Sequence, residues 1–158
     1  CQGLSGDGDN VCILCSPSAA SSAADTVTGT VSSTGAHIDM VIVEVHNSTC
    51  TLDTTTSPTG GSVGSNQTST SAPSSGNITT TSTNDFLLGA MAAINPPLSH
   101  ITAGSGWSNL VAGAGTGDEG LVAGETQIGT SATTYSASFG LSATSAETGA
   151  LIVCFKHL

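Results

Sequence analysis

Basic residues are almost absent. Lys156 is the only lysine or arginine, set against eleven acidic residues and a net charge of -10 at neutral pH. A phosphate backbone is neutralised by several cations at once, and an anionic membrane surface attracts clusters of them. One lysine supplies neither, which argues against nucleic-acid binding and electrostatic membrane docking. Charged residues of both signs make up 8% of the chain and aromatic residues 3%. Solubility therefore rests on Ser, Thr, Asn and Gly, and recognition through aromatic platforms has only Trp107, Tyr135 and three Phe to draw on. Long apolar runs are missing too. The longest, Phe86 to Ile94, falls far short of the roughly 20 residues of a membrane-spanning helix. No basic segment opens the chain, so any export signal is expected to have been removed or to lie outside these residues.

What is present is short and β-branched. A mean hydropathy of +0.21 and clustered Val, Ile and Leu oppose disorder over most of the 158 residues. Gly, Ser, Asn and Pro separate the apolar pieces, which is the signature of many short strands. The pattern predicts strands at 10–15, 25–33, 38–46, 77–83, 85–93, 107–112, 121–128, 133–141 and 150–155. In "TTYSASFGL", Tyr135, Ala137, Phe139 and Leu141 share one face and Ser136 and Ser138 the other. "DMVIVEV" and "ALIVCF" are apolar on both faces, so they are expected to lie centrally, covered on both sides or at a subunit contact. Val41, Ile42, Val43, Leu87, Leu88, Phe139, Leu151 and Val153 form the expected core. The fold class expected is all-β: an antiparallel β-sandwich of jelly-roll type with about nine short strands. Residues 47–84, mostly Ser and Thr, read as a long surface connection.

Motifs with chemical meaning all lack their context. "GGSVG" (60–64) matches the spacing of a nucleophile elbow without the strand and helix that strain its serine. "GTGDEG" (115–120) has dinucleotide-loop spacing, but Asp118 and Glu119 would repel phosphate and no helix follows. "CILC" (12–15) has neither a helix N-terminus to activate a thiol nor a second Cys/His pair for zinc. "GDGDN" (6–10) is dense in carboxylate without a full calcium ligand set. In "HIDMVIVEVH" the two His/acid pairs fall on opposite strand faces. No catalytic residue, cofactor site or metal site is expected. Cys1, Cys12, Cys15, Cys50 and Cys154 are candidates for disulfides in an oxidising extracellular setting, and their odd number leaves at least one over. Three sequons, at Asn47, Asn66 and Asn77, are candidate N-glycosylation sites. Thr54, Thr55, Thr56, Thr79, Thr80 and Thr81 are candidates for O-linked sugar.

Four stretches in order, "VEVHNSTCTLD" (43–53), "ITTTSTNDFLLGA" (78–90), "TAGSGWSNL" (102–110) and "YSASFGLSATSAETGALIVCFK" (135–156), resemble Ser/Thr/Gly-rich modules of secreted bacterial proteins. The resemblance implies a secreted β-sandwich with no catalytic residues. Such modules open with further strands that have no counterpart here, so this sandwich is expected to lack an edge. Residues 1–24 are the expected linking or donor segment and 25–158 the sandwich domain. The expectation for function is a structural subunit of an extracellular filament or surface assembly, partnered by copies of itself and covalent glycans. The alternative is a carbohydrate-binding or adhesive module of a larger secreted protein.

Overall fold

A computed structural model describes residues 2–3, 10–15, 26–30, 39–45, 50–53, 62–94, 101–114 and 121–156. These residues are all-β and contain no helix. Five strands form the main sheet, in the order β3 (Ser62–Thr70), β11 (Ser145–Phe155), β5 (Asp85–Ile94), β8 (Leu121–Gly129) and β7 (Ser108–Ala114). Every neighbouring pair is antiparallel. A second layer covers one face. It contains β4 (Ile78–Thr79) paired with β9 (Thr134–Tyr135), and β10 (Phe139–Leu141) paired with β6 (Ile101–Ala103). Residues 71–75 continue it, running beside β10 through Phe139 N–H to Pro73 O and Leu141 N–H to Ser71 O, at 2.9 and 2.8 Å. Two antiparallel layers around one core fit a β-sandwich.

Strand β5 shows why. Its residues alternate buried and half-buried along the whole length, as a strand covered on both faces must. Leu87 and Met91 join Ala123 of β8 and Ala150, Ile152 and Cys154 of β11 on the inner face. Ile78, Trp107, Ala137 and Phe139 close over them. The outer face carries Phe86 stacked on Phe155, ring centroids 6.5 Å apart. Leu151, Val153 and Phe155 are buried there as well. Beside these strands lies the pair β1 (Gln2–Gly3) and β2 (Asn10–Val11).

The layers approach closely at Gly89. A Cβ placed there would sit 2.6 Å from the Ala137 Cβ and 3.1 Å from Glu125 Cγ. Backbone and a fully buried methyl cannot both give way, so Gly89→Ala is expected to lower stability by about 1–3 kcal/mol. Urea unfolding should show most of that loss recovered in the double variant Gly89→Ala/Ala137→Gly.

Several expectations are corrected. Residues 39–45 join no strand among the described residues, and Ile42 is 62% exposed. Val41 and Val43 are only half-buried, as is Leu88, while Leu87, Phe139, Leu151 and Val153 lie inside as expected. Residues 26–30 are likewise not a strand, and 12–15 do not extend β2. The predicted strand 133–141 breaks into β9 and β10, and 77–83 shrinks to two residues. Conversely, the Ser/Thr-rich connection contains nine-residue β3, which lacks apolar periodicity and is held by its backbone ladder to β11. Of the 1–24 segment, residues 2–3 and 10–11 pair with each other inside the chain.

Candidate functional site

A polar cluster is buried at one end of the main sheet. Residues 50–53 pair with the end of β11: Asp53 N–H donates to Cys154 O at 3.0 Å and Lys156 N–H to Thr51 O at 2.8 Å. Asn84, in the left-handed region at φ 66°, turns the chain sharply into β5. The two features bring Asp53, Asp85 and Cys154 together, all buried, with ligand-type atoms within 4.8 Å of one another. Thr81 caps the group, its backbone N–H and hydroxyl each donating to an Asp53 oxygen at 2.5 Å. Burial alone would raise the Asp53 pKa. The Thr81 hydrogen bonds, a further one with Asp85, and the Lys156 charge outweigh it and hold the carboxyl below its ordinary value. Burial, then the charges of Asp85 and Asp53, push the Cys154 thiol up to about 12, against a partial offset from Lys156.

That arrangement is poor equipment for catalysis. A nucleophilic cysteine needs a thiolate in an electropositive setting, and Cys154 faces two carboxylates. Two oxygens and a sulfur at this spacing are donors a cation could share. Both Asp53 oxygens, however, already accept hydrogen bonds from Thr81, which a cation would have to compete with. The cluster reads as a polar clamp joining residues 50–53, the Thr81–Asp85 corner and the end of β11.

Glu125 is a buried carboxylate outside that cluster. It points inward from the middle of β8 and is fully covered. Its Oε2 accepts from Gly104 N–H at 2.8 Å and its Oε1 from Ser138 N–H at 3.1 Å. Burial raises its pKa to about 7, and these two hydrogen bonds offset only part of that. The residue pins the β6 end and the β10 start to the main sheet. It was missed in the sequence because "LVAGETQIG" looks like an ordinary alternating strand. The available signal was a lone carboxylate at an inward position of that alternation.

The sequence-predicted sites scatter. Cys15 and Cys50 form a disulfide, Cα atoms 6.0 Å apart. Cys12 is also disulfide-bonded. Cys154 is instead a free, buried thiol, because its side chain points into the core from β11. Asn77 and Thr79 are exposed. Thr80 is buried with its hydroxyl turned to Ser131 and Thr133 carbonyls, so it offers no site for sugar. Thr81 spends its hydroxyl on Asp53. Asn66 lies on β3, while Cys1, Asn47 and Thr54–Thr56 lie outside the described residues. Trp107 is buried with its indole N–H donating to Ser136 O, and half-buried Tyr135 donates to Ser131 O.

One surface remains apolar. Along 40–45 exposure alternates: 40, 42 and 44 are exposed, while 41, 43 and 45 are half-buried. Val41 lies over Gly124 on the outer face of β8. Met40 at 47% and Ile42 at 62% exposure are therefore the outer side of a strand-like segment. Ile42, Val111 and Ile128, together with the polar side chains of Glu44, Asn109 and Thr126, line one open depression of about 450 Å³ over β8 and β7. No known protein family, curated protein or solved structure matches this chain.

Proposed function

We propose that the chain is a structural subunit of an extracellular filament or surface assembly, a jelly-roll-type sandwich polymerised by strand pairing between copies. The observation that carries this reading is the segment 39–45. It is rich in β-branched residues and has the side-chain alternation of a strand, yet it joins no ladder among the described residues. A strand-like segment outside a sheet is a template for another chain, which proteins normally cover, charge or pair. The segment carries charge only at Asp39 and Glu44, which leaves its apolar middle to be covered or paired. The donor role expected of 1–24 passes to 39–45, because β1 and β2 already pair together. Exposed Asn77 and Thr79 suit covalent sugar on the outside of such an assembly. The carbohydrate-binding alternative has less support: Trp107 is buried and Tyr135 half-buried, so neither offers an open platform.

Negative-stain microscopy and sedimentation of the purified protein test the reading. The wild type is expected to form polymers and Ile42→Glu to stay monomeric. Because Ile42 is mostly exposed, the variant should keep its stability within about 0.5 kcal/mol. A wild type that remains monomeric at high concentration would overturn the proposal.

A further inference from the structure

We propose that the Cys15–Cys50 disulfide is a thiol-exchangeable strap. It fastens the β1–β2 pair over the outer face of the main sheet, and its reduction by a dithiol uncovers Leu151 and Val153. The strap is independent of polymerisation. The second layer occupies the inner face of the sheet. Strand β1, lying against β11 and β3, and β2, lying against β11 and β5, therefore cover the outer one. Val11 of β2 is 4% exposed, and Leu151 and Val153, which point outward from β11, are 5% and 4% exposed. Outward apolar side chains are this dry only beneath a cover. Among the described residues β1 and β2 pair with each other alone and have no ladder to the sheet below. Residues 12–15, which follow them, join no strand either. Side-chain burial and the bond at Cys15 hold the cover in place.

The other end of the bond is fixed. Cys50 directly precedes residues 51–53, which pair with the end of β11 and carry Asp53 into the polar clamp. Cys15 is exposed, so a thiolate can reach its sulfur. Cys50 is half-buried and adopts φ 57°, in the left-handed region that strains a residue with a side chain. Exposed and strained disulfides are the labile ones. A thiolate of the dithiol attacks Cys15 Sγ, the S–S bond breaks, and Cys50 leaves as a thiolate that takes up a proton. The second thiol attacks the mixed disulfide and releases Cys15 as a thiol. The dithiol ends as a disulfide, having passed two electrons to the protein. Cutting the bond opens a loop that spans 35 positions of sequence, which restores chain freedom to its ends. Residues 51–53 stay paired with β11, so the cover lifts while the sandwich beneath it remains.

Carbene footprinting of the full chain tests the strap. The oxidised wild type is compared with the wild type treated with dithiothreitol, and with Cys15→Ser/Cys50→Ser, which lacks the bond without any reductant. Alkylation and peptide mapping of the treated protein are expected to find Cys15 and Cys50 reduced and buried Cys154 unlabelled. Carbene labelling of Leu151 and Val153 is expected to rise several-fold in both opened forms. Leu87 and Ile152, on the inner face, should stay protected. Emission from Trp107, the single tryptophan and a core residue, should be unchanged. Outer-face labelling that stays at the oxidised level once the bond is cut overturns the strap. So does a Cys15–Cys50 pair that resists dithiothreitol until the core unfolds. Loss of the Trp107 signal and labelling of both faces in the two opened forms would mean global unfolding, and overturns it as well.

Discussion

Asp53→Ala is expected to be among the most damaging single substitutions, at about 3 kcal/mol. Asp53 accepts two hydrogen bonds from Thr81 while ionised, and hydrogen bonds to charged groups contribute about 1.5–3 kcal/mol each. Removal also frees residues 50–53 from the Thr81–Asp85 corner, leaving them attached to β11 by backbone alone. Thr81→Val keeps the backbone donor and removes only the hydroxyl, so it should cost about 1.5 kcal/mol. Urea unfolding at pH 7 compares the two. Equal losses would mean that the carboxylate contributes nothing beyond the hydroxyl contact.

Stability should peak in mildly acidic solution, because buried Asp53 and buried Glu125 pull in opposite directions. Asp53 has a folded pKa below its ordinary 3.8, so the folded state binds its proton more weakly than the unfolded chain does. Its contribution is present above the unfolded value and is lost as pH falls through the folded one. Glu125 has a folded pKa of about 7 against an ordinary 4.5. Its contribution is complete below pH 4.5 and disappears as pH rises through about 7. Between pH 4.5 and 8 the fold should therefore lose up to about 3 kcal/mol from Glu125. Glu125→Gln resembles the protonated side chain, with one acceptor oxygen retained, and should flatten the slope over that range. Thermal unfolding at half-unit pH steps reads both effects. A wild-type midpoint that climbs steadily from pH 5 to 8 contradicts the assignment.

Legibility in the sequence followed side-chain chemistry. Strands β5, β7, β8 and the end of β11 were readable because aliphatic residues announce a buried face. Strand β3 was not, since "SVGSNQTST" is selected by backbone pairing with β11 and carries almost no hydrophobic signal. Segment 39–45 failed in the opposite direction: "DMVIVEV" has every local property of a central strand, and no ladder partner among the described residues takes it up. Local propensity gives the capacity to pair, whereas the partner is a long-range fact. The polar clamp was hidden for the same reason. Asp53, Asp85 and Cys154 are far apart in sequence, and only the fold brings them together.

The strand order also sets a timetable. β11 lies between β3 and β5, which have no ladder to each other, and it is synthesised after both. A ribosome releasing this chain exposes β5, β7 and β8 early, and these can begin to pair. β3 and residues 50–53 must wait, since the backbone partners of both lie on β11 or just beyond it. Closing loops of that span is slow. A nascent chain halted anywhere before Ser145 would therefore hold the outer side of β5 open, and the complete sheet forms only once its final strand has emerged.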